Sequence, residues 1–456
     1  MGIVDNTVFT IILLFGVMIG LNFLVVPIKD RSKYLLGLFL FAIALEGRVR
    51  FNTILHQGGA ELAIAPYDIP LIFILLLWFL KILTNYTYRS VLKKYDFVLF
   101  LIPIGYAFSI INSKAIFFSL YEIARIIKMI LVVLFLRDYV NTRQKIQFIF
   151  YSLVIVIFFQ FIFAFMQSIL GTTYGLNFFQ RGAEARMVNI GSFMRAEGTL
   201  GHCNTLAQYL NMVLFPMLSF FAIEKKIGNK LWLIIGICLT IVMLFLTFSR
   251  SGWTSFIIGI AIYLLFKPKM SYGKSRKSFK YAVSFLFCGI LIISFIFRQN
   301  IIDRFTTASE ISTDQRIDLL VVAANMVTKH PFIGIGLNNF TEVIHMYDDT
   351  GISKIFPAPV HNIYLLILAE TGIIGLAYTL FCLTLLLLYF IRLIKKSDEY
   401  TSLIALGIFS GFCSVLVNGL IVWGLRGDPL MAMFFLYIGI GLSLGRMALS
   451  KRETGL

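Results

Sequence analysis

Long apolar runs separated by short polar connections dominate this chain. The runs fall at about 8–28, 33–48, 67–84, 96–112, 116–136, 146–170, 204–223, 231–248, 251–267, 280–297, 361–391, 401–422 and 428–446. A bilayer core of roughly 30 Å takes about 20 helical residues to cross, so each run predicts a membrane-spanning helix. The second run is short and the break at 249–252 is tight, which gives 12–14 spans with thirteen as the best count. No basic leader precedes the first run and no small-residue cleavage pattern follows it, so it is expected to be a permanent helix. The expected fold class is an all-α polytopic membrane protein, with 1–456 as a single membrane domain.

One connection breaks the pattern. Residues 298–360 form an insertion far longer than the usual helix-to-helix loop of about 2–8 residues. Within it, Thr313 and Asp314 look like a helix start, with Leu320, Ala324 and Val327 as its apolar stripe. Lys329, His330 and Pro331 stop the helix. Gly334 and Gly336 then permit a tight chain path that bulkier residues would resist.

Composition agrees with a lipid environment: 59% of the 456 residues are hydrophobic and 14% charged, with a mean hydropathy of +0.87. The net charge of +17 follows membrane topology. Basic segments at 29–33, 89–94, 137–145, 225–230, 267–280, 392–396 and 446–452 occur at every second connection, and such loops are retained in the cytoplasm. This predicts an outside N-terminus, a cytoplasmic C-terminus, and outward-facing connections at 171–203 and 298–360. No compact basic domain exists to bind nucleic acid. Five cysteines without a CxxC pair suggest neither a metal site nor a disulfide framework.

Five strings carry the chemistry. They are Arg-Ala-Glu-Gly-Thr-Leu-Gly-His-Cys-Asn at 195–204, Thr-Phe-Ser-Arg-Ser-Gly at 247–252, Asp-Gln-Arg at 314–316, His-Pro-Phe-Ile-Gly-Ile-Gly-Leu-Asn-Asn-Phe at 330–340, and His-Asn-Ile-Tyr at 361–364 followed by Glu-Thr-Gly at 370–372. Together, over about 195–375, they resemble the O-antigen ligase and Wzy-type polymerase family. The rest of the chain resembles that family only in being transmembrane helices. A departure falls at Cys203, where a proline more often follows the histidine.

The resemblance implies a GT-C-like glycosyltransferase that needs no metal or other cofactor, with 298–360 as an extracytoplasmic catalytic loop. Its substrates would be undecaprenyl-diphosphate-linked glycans, as donor and as acceptor, at the outer face of a bacterial plasma membrane. A chain-length regulator and a flippase are the protein partners such a system implies. Matched residue by residue, the resemblance assigns diphosphate binding to Arg250 and Arg316.

The residues can be weighed on their own chemistry. Transfer from a lipid diphosphate needs cations on the phosphates and a base for the acceptor hydroxyl, and the planar fork of arginine suits the first task. Arg250 closes a helix at the outer rim and could equally be a snorkelling anchor; Arg316 could instead pair with Asp314 or Asp318. His361 lies at a helix start, where the dipole favours the neutral imidazole that a general base requires; a capping role is the alternative. Arg195, Glu197, His202 and Asn204, with Asn362 and Tyr364, are candidates for holding sugar, although Arg195 and Glu197 could simply pair. No paired carboxylates of glycosidase type are evident around Asp348, Asp349 or Glu342.

Glu122, Arg125 and Lys128 share one face of the fifth span, and charges at that depth must pair or face water. A structural pair is the favoured reading there. The function expected overall is polymerisation of lipid-linked repeats into surface polysaccharide (O-antigen, capsule or exopolysaccharide), with ligation to a lipid or protein acceptor as the alternative. A flippase or transporter is less favoured, because internal repeats and broken midplane helices are not visible.

Overall fold

The computed structural model describes residues 30–46, 49–50, 63–85, 96–171, 189–190, 193–268, 274–306 and 310–453. The run expected at 8–28 and the basic connection at 89–94 lie outside these residues. The helices are α1 (Arg31–Ile43), α2 (Asp68–Thr84), α3 (Asp96–Ala107), α4 (Ile116–Tyr139), α5 (Arg143–Leu170), α6 (Cys203–Ile223) and α7 (Ile227–Leu246). They continue as α8 (Arg250–Leu265), α9 (Lys274–Ile296), α10 (Arg298–Thr306), α11 (Glu310–Lys329), α12 (Ile363–Lys396), α13 (Glu399–Asn418) and α14 (Asp428–Glu453). Among the described residues the only β structure is two antiparallel ladders of two residues per strand, Val49–Arg50 with Ala63–Ile64 and Asn189–Ile190 with Phe193–Met194.

Six described helices are long and apolar enough to cross a bilayer: α5, α6, α7, α12, α13 and α14. The molecule is a nearly all-helical, polytopic membrane protein. The apolar runs at 96–112 and 251–267 give shorter helical stretches, Asp96–Asn112 and Arg250–Leu265. Helix boundaries follow local chemistry: Thr142, Ser249 and Asp398 each cap the next helix by accepting a backbone N–H.

At the centre stands α6, buried almost throughout from Leu206 to Ala222, as expected for a helix that is apolar on every side. Its most extensive partner is α13. Apolar burial gives little drive between helices in lipid, so close backbone approach has to supply the packing. Gly407 provides it, since a Cβ there would meet Phe215 O and Pro216 Cα at 2.6 Å.

The charges on α4 are paired, as their spacing suggests. Arg125 Nη1 lies 2.6 Å from Glu122 Oε2, its Nη2 lies 2.7 Å from Asp428 Oδ1, and Lys128 Nζ lies 2.6 Å from Asp68 Oδ1. The network fastens α4 to the starts of α2 and α14. A lone buried charge would be costly, and the pairing removes most of that penalty.

The insertion differs in detail from expectation. Its helix begins at Glu310, not at Thr313, and its buried face is Leu319, Val322, Ala323 and Met326. Leu320 is 43% exposed and Ala324 is exposed, so the expected stripe is rotated by one residue. The reason is the surface it meets. A second apolar core, formed by Ile335, Phe340, Val360, Ile363, Leu366 and Ala369, lies under the insertion and selects the 319/322/323/326 face.

Candidate functional site

Four elements converge on the site. The first is the turn between α7 and α8. Phe248 takes a positive φ of 45°, which reverses the chain sharply, and Ser249 caps α8 by accepting the Gly252 N–H at 3.1 Å. Arg250 is therefore the first residue of α8; the expectation that it closes the preceding helix is corrected by the tightness of this turn.

The second is the strip before α6. Arg195 donates from Nε to the Thr247 carbonyl at 3.1 Å and from Nη2 to Asn204 Oδ1 at 3.4 Å. Ser249 donates to the same Asn204 oxygen at 2.8 Å. These bonds lock the 195–204 string to the Arg250 turn and explain why both strings belong to one site. His202 is the N-cap of α6, its Nδ1 accepting the Asn204 N–H at 3.1 Å. Cys203 is then the first residue of the helix, a position that proline also suits, so the departure at Cys203 leaves the turn intact. The Glu197 N–H donates to Gln167 Oε1 at 3.0 Å.

Arg316 arrives from α11, two turns into the helix rather than at its start. Burial, followed by the positive charges of Arg250 and Arg195, lowers its pKa. Neither Arg250 nor Arg316 has a carboxylate in ion-pair range among the described residues, so the pairing considered with Asp314 or Asp318 does not form. Arg316 thus feels the charges of two other guanidinium groups, and neither it nor Arg250 has a neutralising carboxylate among the described residues.

His361 completes the group. It precedes α12, whose N-cap is Asn362; the Asn362 side chain accepts from Tyr364 N and Leu365 N at 3.0 Å each. The imidazole stacks on Phe356 with centroids 6.4 Å apart, and its Nδ1 is buried with no hydrogen-bond partner among the described residues. Burial, and then the charge of Arg316, lowers its pKa to about 4. A pKa of about 4 leaves the ring neutral at pH 7, through burial and a neighbouring guanidinium. Tyr364 points elsewhere, donating its hydroxyl to the Leu416 carbonyl at 2.7 Å, and Asn362 is occupied as a cap.

A clasp positions this group. In α12, Gly372 has φ 66° and ψ −173°, which breaks the helix. The 331–336 segment takes up the freed backbone groups: Ile335 N and Gly336 N donate to the carbonyls of Ala369 and Glu370 at 3.1 and 3.0 Å, while Ile373 N and Ile374 N donate to Pro331 and Phe332 at 2.9 and 3.2 Å. Gly334, at φ 68°, approaches so closely that a Cβ would meet Glu370 C at 2.3 Å. The 330–340 and 370–372 strings are therefore two halves of one structure.

Several supporting residues were missed in the sequence. Asn339 accepts from Ala115 N at 2.8 Å and donates to Ser119 Oγ at 3.0 Å, and Asn112 donates to the Gly334 carbonyl at 2.8 Å. Arg426 ties the clasp to Glu122 through Glu370. An arginine in the otherwise apolar stretch after α13 was a usable signal for it.

Asp348 is a turn former, accepting from Thr350 N, Gly351 N and Ser353 N at 2.9, 3.0 and 2.8 Å. These bonds hold its carboxyl below the ordinary range. Glu342 Oε1 is buried with no hydrogen-bond partner among the described residues.

Chemically, the arrangement could hold an anion beside a group able to accept a proton. Unneutralised guanidinium groups create a strong local positive field for a multiply charged oxyanion, and a neutral buried imidazole can take a proton. Residues 235–380 match a family model described as O-antigen ligase. This segment includes Arg250, Arg316, the clasp and His361, whereas the 195–204 string precedes it. No curated protein matches the chain. The match supports a membrane glycan ligase or polymerase type of role. The resemblance therefore stands for the four strings within the match, and over residues 235–380 the chain is similar to the O-antigen ligase family.

Proposed function

We propose that the chain polymerises undecaprenyl-diphosphate-linked oligosaccharide repeats at the outer face of a bacterial plasma membrane, without a metal. Arg250 and Arg316 bind the donor diphosphate. His361 removes the proton from the acceptor hydroxyl as its oxygen bonds to the donor's anomeric carbon, and the bond from that carbon to the phosphate oxygen breaks. Undecaprenyl diphosphate departs, its charge stabilised by the arginines. Arg195, held by Thr247 and Asn204, adds to the same field. His202 and Glu197 border that strip and contribute to sugar binding.

The observation carrying this reading is that Arg316 feels the charges of Arg250 and Arg195 and itself acts on a buried His361. The same burial and charge keep His361 unprotonated at neutral pH. The alternating basic connections support placing this end of the bundle outside.

Purified protein incubated with an undecaprenyl-diphosphate-linked oligosaccharide alone is expected to yield a ladder of longer lipid-linked chains. His361→Ala is expected to bind the donor and form no ladder. Transfer that begins only after a lipid or protein acceptor is added would make the chain a ligase, and full activity in His361→Ala would remove its role as base.

A further inference from the structure

A long cavity of about 890 Å³, whose lining includes none of Arg195, Arg250, Arg316 and His361, lies between α3, α4, α12 and α14. Along α12 its lining runs from Ile363 and Tyr364 to Arg392 and Lys396, and along α14 from Met431 to Leu449. On α14 the eighteen rises from Met431 to Leu449 cover roughly 27 Å at 1.5 Å each, close to the hydrocarbon thickness of a bilayer. Between the ends the walls are apolar, with Ile102, Leu386, Phe435, Ile438 and Leu442 among them. Helices α12 and α14 flank this space while touching each other only sparsely.

The two ends differ in charge. At the site end, Glu122 and Arg426 compensate each other, 3.6 Å apart. At the far end, Arg392, Lys396 and Arg446 line the cavity together with Asp96 and Arg137. Arg137 is bound to Asp96, and its Nη2 lies 2.9 Å from Asp138 Oδ1, so both acids there are already engaged. Arg446 reaches Asp138 only at 3.6 Å and is half exposed. Arg392 is exposed and has no ion pair among the described residues. The far end keeps a surplus of positive charge at the mouth of an apolar slot.

We propose that this cavity holds an anionic diacyl phospholipid, its phosphate against Arg392 and Arg446 and one acyl chain between α12 and α14. An apolar wall with a basic rim at the membrane surface fits a lipid with a negatively charged headgroup. Free phosphate would leave the apolar length unfilled, and a zwitterionic lipid would gain little from the rim. The site is separate from the proposed transfer chemistry, and its test does not depend on that chemistry.

The protein is placed in nanodiscs of dioleoyl phosphatidylcholine doped with dioleoyl phosphatidylglycerol, and lipid retained on release is counted by native mass spectrometry. The protein is expected to retain phosphatidylglycerol selectively. Arg392→Gln combined with Arg446→Gln is expected to weaken retention by about thirtyfold, whereas neutralising exposed Lys225 and Lys226 leaves it unchanged. Leu442→Trp, which fills the slot and keeps the rim, is expected to abolish retention. A thermal melt of each variant separates loss of the lipid from loss of the fold. Equal retention of both lipids, or unchanged retention in the rim and slot variants, would overturn the proposal. So would displacement of phosphatidylglycerol by undecaprenyl diphosphate, which would assign the slot to the donor's chain.

Discussion

Glu370 and Arg426 lie 2.5 Å apart, Oε2 to Nη1, and join the kink of α12 to the connection between α13 and α14. The same guanidinium donates to Asn338 Oδ1 at 2.8 Å, and Asn338 itself has a positive φ of 61°. A single arginine thus holds the helix break and the loop docked into it.

Arg426→Leu is expected to destabilise the protein by about 3 kcal/mol, because it leaves Glu370 buried without its partner. Arg426→Lys recovers only part of this, since one ammonium cannot serve Glu370 and Asn338 as a fork does. Thermal unfolding in detergent measures both. A wild-type melting temperature for Arg426→Leu would show that the tie carries no load.

Gly372→Ala and Gly334→Ala are each expected to lower stability by about 1–3 kcal/mol or more, since both need positive φ and neither has room for a methyl group. Gly228→Ala serves as a control, because nothing lies within 4 Å of a Cβ there. Folded yield and melting temperature are the readouts, and equal behaviour of all three would refute the clasp.

Arg316→Lys, which keeps the charge but removes the planar fork, is expected to lose most turnover, and Arg250→Lys likewise. Initial rates at saturating donor test this. Near-normal turnover in both would mean that charge alone suffices.

Because the pKa of His361 is about 4 in the fold against an ordinary value near 6.5, the free enzyme should keep its base neutral down to about pH 5. The sign for stability is opposite. Between the two values an unfolded chain takes up a proton that the folded ring refuses, so stability falls as pH drops from about 6.5 toward 4. NMR titration of labelled histidine should give the low value, and Arg316→Gln should raise it. A titration near 6.5 in the wild type would show that burial and Arg316 do not act as described.

Spanning helices were legible because each is a long apolar run, and the starts of α6, α13 and α14 match their runs at 204–223, 401–422 and 428–446 within two residues. The face buried by α11 was not, because its amphipathicity is shallow and the 358–369 surface decides which side turns inward. Arg250, Arg316 and His361 could be picked out by residue type and by resemblance. The roles of Asn362 as a cap and Tyr364 as a donor to Leu416 depend on partners distant in sequence or on backbone geometry. Arg426 escaped because its significance lies in Glu122, Asn338 and Glu370, all far from it along the chain.

The clasp also constrains traffic. Parting the loop from α12 would strip four backbone hydrogen bonds at once. That seam cannot serve as a door for the lipid-linked chains proposed above. Helix α11 rests instead on apolar side chains and on the bonds from Asn325 to Tyr347 O and Asp349, so the insertion is held to the bundle by two different chemistries, backbone hydrogen bonds on one side of His361 and mostly apolar contact on the side that carries Arg316.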